Sequence, residues 1–233
     1  MFFCSGRNYT DYNEITAKNN GMDYYKKLET RYPELKPALQ NIKDAVLTLK
    51  QSVLNGNKIF AAGNGGSAAD AEHIVGELMK GFRLKRSLTD LQKREIERRC
   101  PDGADEMADH LQQAIPAISL VSGVALPTAF ANDIHGDYVF AQQLYGLGKK
   151  GDVLIAISTS GHSVNVIHAA KVARVIGVRV IGLTGRDGGK LAGLSDIAIQ
   201  VPADDVADIQ EFHLPVYHCL CSQLESEIFG DGC

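Results

Sequence analysis

The sequence predicts an α/β fold, a parallel sheet sandwiched between layers of helices. Three observations lead there. Four short runs, Ile59–Ala62, Val153–Ile157, Val178–Leu183 and Ile197–Val201, are almost continuously apolar, as strands buried on both faces are. Twice, a strand runs into a turn of small residues that opens a helix. The segments between carry apolar residues three and four apart.

Taken in order, residues 1 to about 33 are polar with several aromatics and read as an N-terminal arm with a helix near Tyr9 to Tyr32. From Glu34, the stripe Leu39, Ile42, Val46, Leu49 and Val53 predicts an amphipathic helix, stopped by Asn55 and Gly56. A strand over Ile59–Ala62 leads through Gly63–Ser67 (Gly-Asn-Gly-Gly-Ser) into a helix to about Lys80. Residues 84–113 change character. Lys85, Arg86, Lys93, Arg94, Glu95, Glu97, Arg98 and Arg99 mix both signs, and Pro101-Asp-Gly103 marks a turn. This reads as a charged helical hairpin inserted into a domain of residues 34–233. A solvated excursion and a lid over the site are both open readings. Mixed signs argue against a nucleic-acid stripe.

The core resumes with a strand over Ala117–Val121 and a polar loop over Ala129–Asp137. A strand over Val153–Ile157 and a helix over His162–Ile176 follow, then a strand over Val178–Leu183 and a turn at Arg186–Gly189. A strand over Ile197–Val201 precedes a long helix from Val206 to Phe229. At 233 residues with 45% apolar content, one domain with an appendage has ample core. The net charge of −4 invites neither nucleic acid nor anionic membrane. No run suggests a membrane span or a secretory leader. Five cysteines, Cys4, Cys100, Cys219, Cys221 and Cys233, show no Cys-x-x-Cys pair, and read as reduced thiols in a cytoplasm. Cys219 and Cys221 sit in an apolar helical run, where a small core residue is expected.

The two turns carry the chemistry. A helix opening directly after a glycine turn aims free N–H groups and the positive end of its dipole at one point, which suits a phosphate. The second turn, Ser158–Ser163 (Ser-Thr-Ser-Gly-His-Ser), adds hydroxyls, so a phosphorylated, polyhydroxylated ligand is expected. Gly63, Gly65 and Ala68 also match a dinucleotide fingerprint. The acid-ending second strand about 20 residues on is replaced by the charged insert, so no nucleotide cofactor is expected. His73 and Glu77 share a helix face just after the first turn, as a surface ion pair or as site residues. Gln210, Glu211, His213 and His218 lie along the last helix, where core histidines and functional ones are both open.

These residues together resemble the sedoheptulose-7-phosphate isomerases, or phosphoheptose isomerases, of the sugar isomerase (SIS) fold. The matching pieces are Gly63–Ser67 with Asp70, His73 and Glu77; Asn132 and Asp133; Gly151–Gly161 with Ser163; Leu183–Gly185 with Asp187–Gly189; and Gln210, Glu211, His213 and His218. The resemblance implies a three-layer α/β/α sandwich with a flavodoxin-like sheet. It implies a homotetramer with active sites between subunits, and isomerisation of sedoheptulose 7-phosphate to D-glycero-D-manno-heptose 7-phosphate for nucleotide-activated heptoses and surface glycans. It casts Glu77 as general base and His218 as its acid partner. Ser158, Thr159, Ser160 and Ser163 become the phosphate cradle. Asn64, Gly65, Gly66, Ser67, Asn132, Asp133 and Gln210 become substrate contacts, and His73, Glu77, Gln210 and His218 a zinc set. An aldose–ketose interconversion moves a proton between C1 and C2 through an enediol, for which a carboxylate and an imidazole suffice. Three departures stand out: the insert, His162 where Asn is usual, and Asp208 where a base is usual. They leave open an SIS isomerase for another sugar phosphate. A second alternative is a non-catalytic tetrameric module that partners the replication initiator, although Glu77 and His218 are both present here.

Overall fold

The computed structural model describes residues 22–230. The elements are α1 (Tyr24–Arg31), α2 (Leu39–Leu54), β1 (Ile59–Ala62), α3 (Gly66–Met79), α4 (Asp90–Arg99), α5 (Ala104–His110), β2 (Ala117–Ser119), α6 (Ala125–Phe130) and α7 (Val139–Leu147). They continue with β3 (Val153–Ile157), α8 (Val164–Ile176), β4 (Arg179–Thr184), α9 (Gly189–Ala192), β5 (Ile197–Gln200) and α10 (Val206–Phe229). The five strands are all parallel, in the order β2-β1-β3-β4-β5.

Continuous apolarity in the strands follows from their place. Ile59, Ala61, Val153, Ile155, Ile157, Ile181 and Leu183 face a layer made by α1, α2, α3 and α10. The alternate residues Phe60, Ala62, Leu154, Ala156 and Val180 face α7, α8 and α9. Neither face meets water, so neither can be polar. Buried Asp152 ties the strand entries together, accepting from the backbone of Lys58 and Lys149 (3.0 and 2.9 Å) and from Lys58 Nζ (2.8 Å). Cys219 and Cys221 are buried among these helices; burial pushes the Cys219 thiol up to about 12 and that of Cys221 up as well.

The predicted strands and the helices α2, α3, α8 and α10 lie where the sequence puts them, with ends shifted by a residue or two. Of the N-terminal helix, the part before residue 22 lies outside the described residues, as do Cys4 and Cys233. The expected polar loop over 129–137 is a correction. Helix α6 runs into a wider helical turn, Ala131–His135, and a tight one, Gly136–Tyr138. Asn132 and Asp133 read as turn formers, yet nothing between Thr128 and His135 breaks a helix, and Thr128 Oγ1 returns to the Val124 carbonyl at 2.6 Å. Helix α7, seated by Phe140, Ala141 and Leu144, is an element the sequence reading passes over. Among the described residues, no helix is long and apolar enough to cross a membrane.

Candidate active site

Strands β1 and β3 are neighbours in the sheet, yet lead to helices on opposite faces. Such a reversal opens a crevice at the carboxyl ends of the strands. Both glycine turns lie there. They are joined by a reciprocal amide pair: Asn64 Nδ2 donates to Asn165 Oδ1 at 2.8 Å, and Asn165 Nδ2 donates back to Asn64 Oδ1 at 2.9 Å. In the second turn the Ser158 and Ser163 hydroxyls are 2.9 Å apart, and the His162 N–H donates to Ser160 Oγ at 3.2 Å. The turn folds this tightly because Gly161 has a left-handed φ of 65°, and a Cβ there would collide with the Gly188 carbonyl. Gln210 of α10 reaches the same edge, where a Cβ on Gly66 would lie 2.5 Å from its amide nitrogen. Asn64, Gly65, Gly66, Ser67, Ser158, Thr159, Ser160, Ser163 and Gln210 thus share the β1–β3 edge. Asn165 escapes the sequence reading; its one signal is an amide in the first turn of a helix that follows a hydroxyl loop.

A second cluster forms where α3 packs on α10. His73 Nδ1 lies 3.0 Å from Tyr217 Oη, and His73 Nε2 lies 3.2 Å from Glu77 Oε1. Lys80 Nζ donates to Glu77 Oε2 at 3.1 Å. The Glu77 side chain is 14% exposed. The His218 ring stacks edge-on against His73 and Tyr217, centroids 5.0 and 5.1 Å apart, with Phe82 at 5.5 Å. Its Nε2 is buried without a partner among the described residues. Burial lowers the His218 pKa, helped by His73 and Arg83 and opposed by Glu77. The ring therefore favours its neutral form. Asp70, behind this cluster, is pushed up by burial, while the Tyr217 hydroxyl and His73 pull it back. His213 is fully buried, and desolvation takes it down to about 4.

Glu77, eleven residues after Gly66 on α3, and His218 on α10 are brought together around His73. Glu77 stands about 16 Å of helix rise from Gly66, so one subunit holds the anion-binding edge and the acid–base cluster at opposite ends of α3. Asn132 and Asp133 join neither group. They are exposed and bond to each other, Asn132 Nδ2 to Asp133 Oδ1 at 2.8 Å. Of the zinc set, His73, Glu77 and His218 meet in this cluster while Gln210 lies against Gly66 at the other end of α3, and among the described residues no three His, Cys, Asp or Glu side chains are arranged to hold a metal ion. Asp208 lines an open cleft of about 600 Å³ with Arg31, Arg186, Asp204, Asp205 and Glu211; none of the predicted site residues lines it.

The family model for the SIS domain matches residues 23–91 and 106–185. Its gap falls within the α4–α5 hairpin. A phosphoheptose isomerase of Aliarcobacter butzleri is 42% identical over 186 residues, 80% of this chain and 82% of that protein. One from Shewanella sediminis is 37% identical over 205 residues, 87% of this chain and 91% of that protein. Among solved structures, a phosphoheptose isomerase from Neisseria gonorrhoeae aligns with a TM-score of 0.63 at 33% identity, covering 86% of this chain and 98% of that one. Another from Francisella tularensis gives 0.63 at 28% identity, covering 88% and 100%.

Proposed function

Because this chain belongs to the SIS domain family and, within it, to the phosphoheptose isomerases, we propose that it interconverts sedoheptulose 7-phosphate and D-glycero-D-manno-heptose 7-phosphate, supplying heptose biosynthesis. One observation carries the chemistry: a shielded carboxylate, Glu77, and an imidazole with an unpartnered nitrogen, His218, meet around His73.

The phosphate sits in the loop of Ser158, Thr159, Ser160 and Ser163, where hydroxyls and the first N–H groups of α8 all donate. Asn64, Gly65, Gly66, Ser67 and Gln210 meet the sugar hydroxyls. Glu77 takes the proton from one of C1 and C2 and delivers it to the other, with Lys80 and His73 fixing its two oxygens. His218, favoured neutral, gives a proton to one of the C1 and C2 oxygens and takes one back from the other. Lys80 supplies positive charge near the developing enediolate.

The separation of anion edge and acid–base cluster along α3 supports a site completed by a neighbouring subunit. So does the exposed apolar run of Val124, Leu126, Ile134, Tyr145 and Leu147 along α6, the turn after it and α7. We read the working form as a homotetramer in the cytoplasm; sedimentation equilibrium tests the assembly. Zinc is a separate proposal resting on donor chemistry, since two imidazoles, a carboxylate and an amide oxygen are ligands it accepts. When bound it would supply Lewis acidity to the sugar oxygens. The residues as placed do not fit a four-ligand site, so no step is routed through it. Metal content before and after chelation, read beside activity, tests that proposal. The function itself is tested by incubating the protein with sedoheptulose 7-phosphate in D₂O and following the products by NMR, beside a panel of hexose and pentose phosphates. A new heptose aldose is expected; turnover of another sugar alone would transfer the chemistry to that substrate.

A further inference from the structure

The segment joining α3 to the hairpin is held by a charge pair that the proposed chemistry leaves unused. Arg86 and Glu225 have no exposed side-chain surface. Arg86 Nε donates to Glu225 Oε1 at 2.7 Å, and its terminal nitrogens donate to the carbonyls of Leu78 and Glu77 at 2.6 and 3.1 Å. Glu225 also accepts the backbone N–H groups of Phe82, Arg83 and Leu84 at 2.8, 2.7 and 3.2 Å. The Phe229 ring covers the guanidinium at 4.9 Å. Ions buried this completely are uncommon, and these two are hydrogen-bonded throughout.

Their placement is specific. The carbonyls of Glu77 and Leu78 belong to the last turn of α3, which has no basic residue of its own and no intrahelical donors left for them. Arg86 donates to both, with the Ile115 N–H also reaching the Leu78 carbonyl at 3.0 Å, and brings the positive charge that end of a helix favours. Glu77 is therefore held twice, its carboxylate by His73 and Lys80 and its carbonyl by Arg86. Glu225 stands two turns beyond His218 on the same face of α10. By gripping the amides of residues 82–84 it also seats Phe82 against the His218 ring.

We propose that the Arg86–Glu225 pair is a positioning device that fixes Glu77 relative to His218. It rests on the isomerase reading. A lysine at position 86 keeps the charge but lacks the planar fork that makes all three bonds. The test uses the full chain with sedoheptulose 7-phosphate, comparing wild type, Arg86→Lys, Glu225→Gln and Glu77→Gln, and Arg86→Lys combined with Glu77→Gln, with folding checked by circular dichroism. A catalytic group displaced by about 1 Å loses about 100-fold in rate. Arg86→Lys is expected to lower kcat by about that factor with KM little changed. In the Glu77→Gln background the same change should cost nothing further, because it acts through Glu77. If Arg86→Lys fails to fold, Glu225→Gln, which keeps the side-chain shape, carries the same comparison. A folded variant with wild-type kcat, or an equal loss in both backgrounds, overturns the positioning role and leaves the isomerase standing. A wild type inactive on every sugar phosphate removes both together.

Discussion

Two charged regions meet at Arg86 and treat their charges in opposite ways. In the seam between α3 and α10 the Arg86–Glu225 pair is buried and each guanidinium nitrogen of Arg86 has an acceptor. In the α4–α5 hairpin no residue is buried, and the charges pair along the helix, Arg98 and Arg99 both on Glu95. Those guanidiniums hold the Glu95 carboxyl down to about 2. Pairs in open solvent are screened and restrain mobile side chains, so a strong local perturbation there carries little stability. Short ion-pair distances occur in both regions; burial separates the pair that fixes structure from the pairs that decorate it.

The comparison can be broken most sharply at Glu225. Glu225→Ala leaves the Arg86 guanidinium buried and unpaired, and should cost about 3–5 kcal/mol in urea unfolding. Glu95→Ala should leave the urea midpoint where it is. Equal losses at the two sites would erase the distinction. Next in size is the response to acid. His213, buried on α10 beside Thr184 of β4, stays neutral down to about 4, whereas in the unfolded chain it titrates near 6.5. Below that upper value the unfolded chain takes up a proton the folded one refuses. Its contribution, about 3 kcal/mol, is thus intact above pH 6.5 and lost as pH falls towards 4. Urea midpoints across that range should decline, and His213→Gln should flatten the decline; parallel curves would contradict it. The smallest effect is expected from the hairpin. Its neck is closed by a bridge between Ser87 and Gln112 and by Gln113 N donating to the Arg86 carbonyl at 2.8 Å. Replacing residues 88–111 by a short glycine–serine linker should move the thermal midpoint little, and a large drop would show that the hairpin packs on the body.

Much of this is legible in the amino-acid sequence. Strands buried on both faces have no polar alternation, so Val153–Ile157 and its neighbours declare themselves by composition. The two glycine turns mark the β1–β3 edge because only a few residue types allow such close approach. The acid–base cluster was half legible: His73 and Glu77 share a face by spacing, but their meeting with His218 depends on how α3 packs on α10, which no local pattern encodes. Arg86 was misread for a related reason. In sequence it belongs to a run of surface charges, and only its long-range partner Glu225, 139 residues away, takes it inside. The 129–137 segment failed because residue types that favour turns can also sit on an exposed helical face.

The most direct measurement is the turnover number of Glu77→Gln and His218→Gln with sedoheptulose 7-phosphate, on protein whose fold matches wild type. Loss of general acid–base action should lower kcat by about 10²–10⁴-fold in each. Wild-type turnover in either variant would contradict the role given to that side chain, and in both would dismantle the acid–base pair.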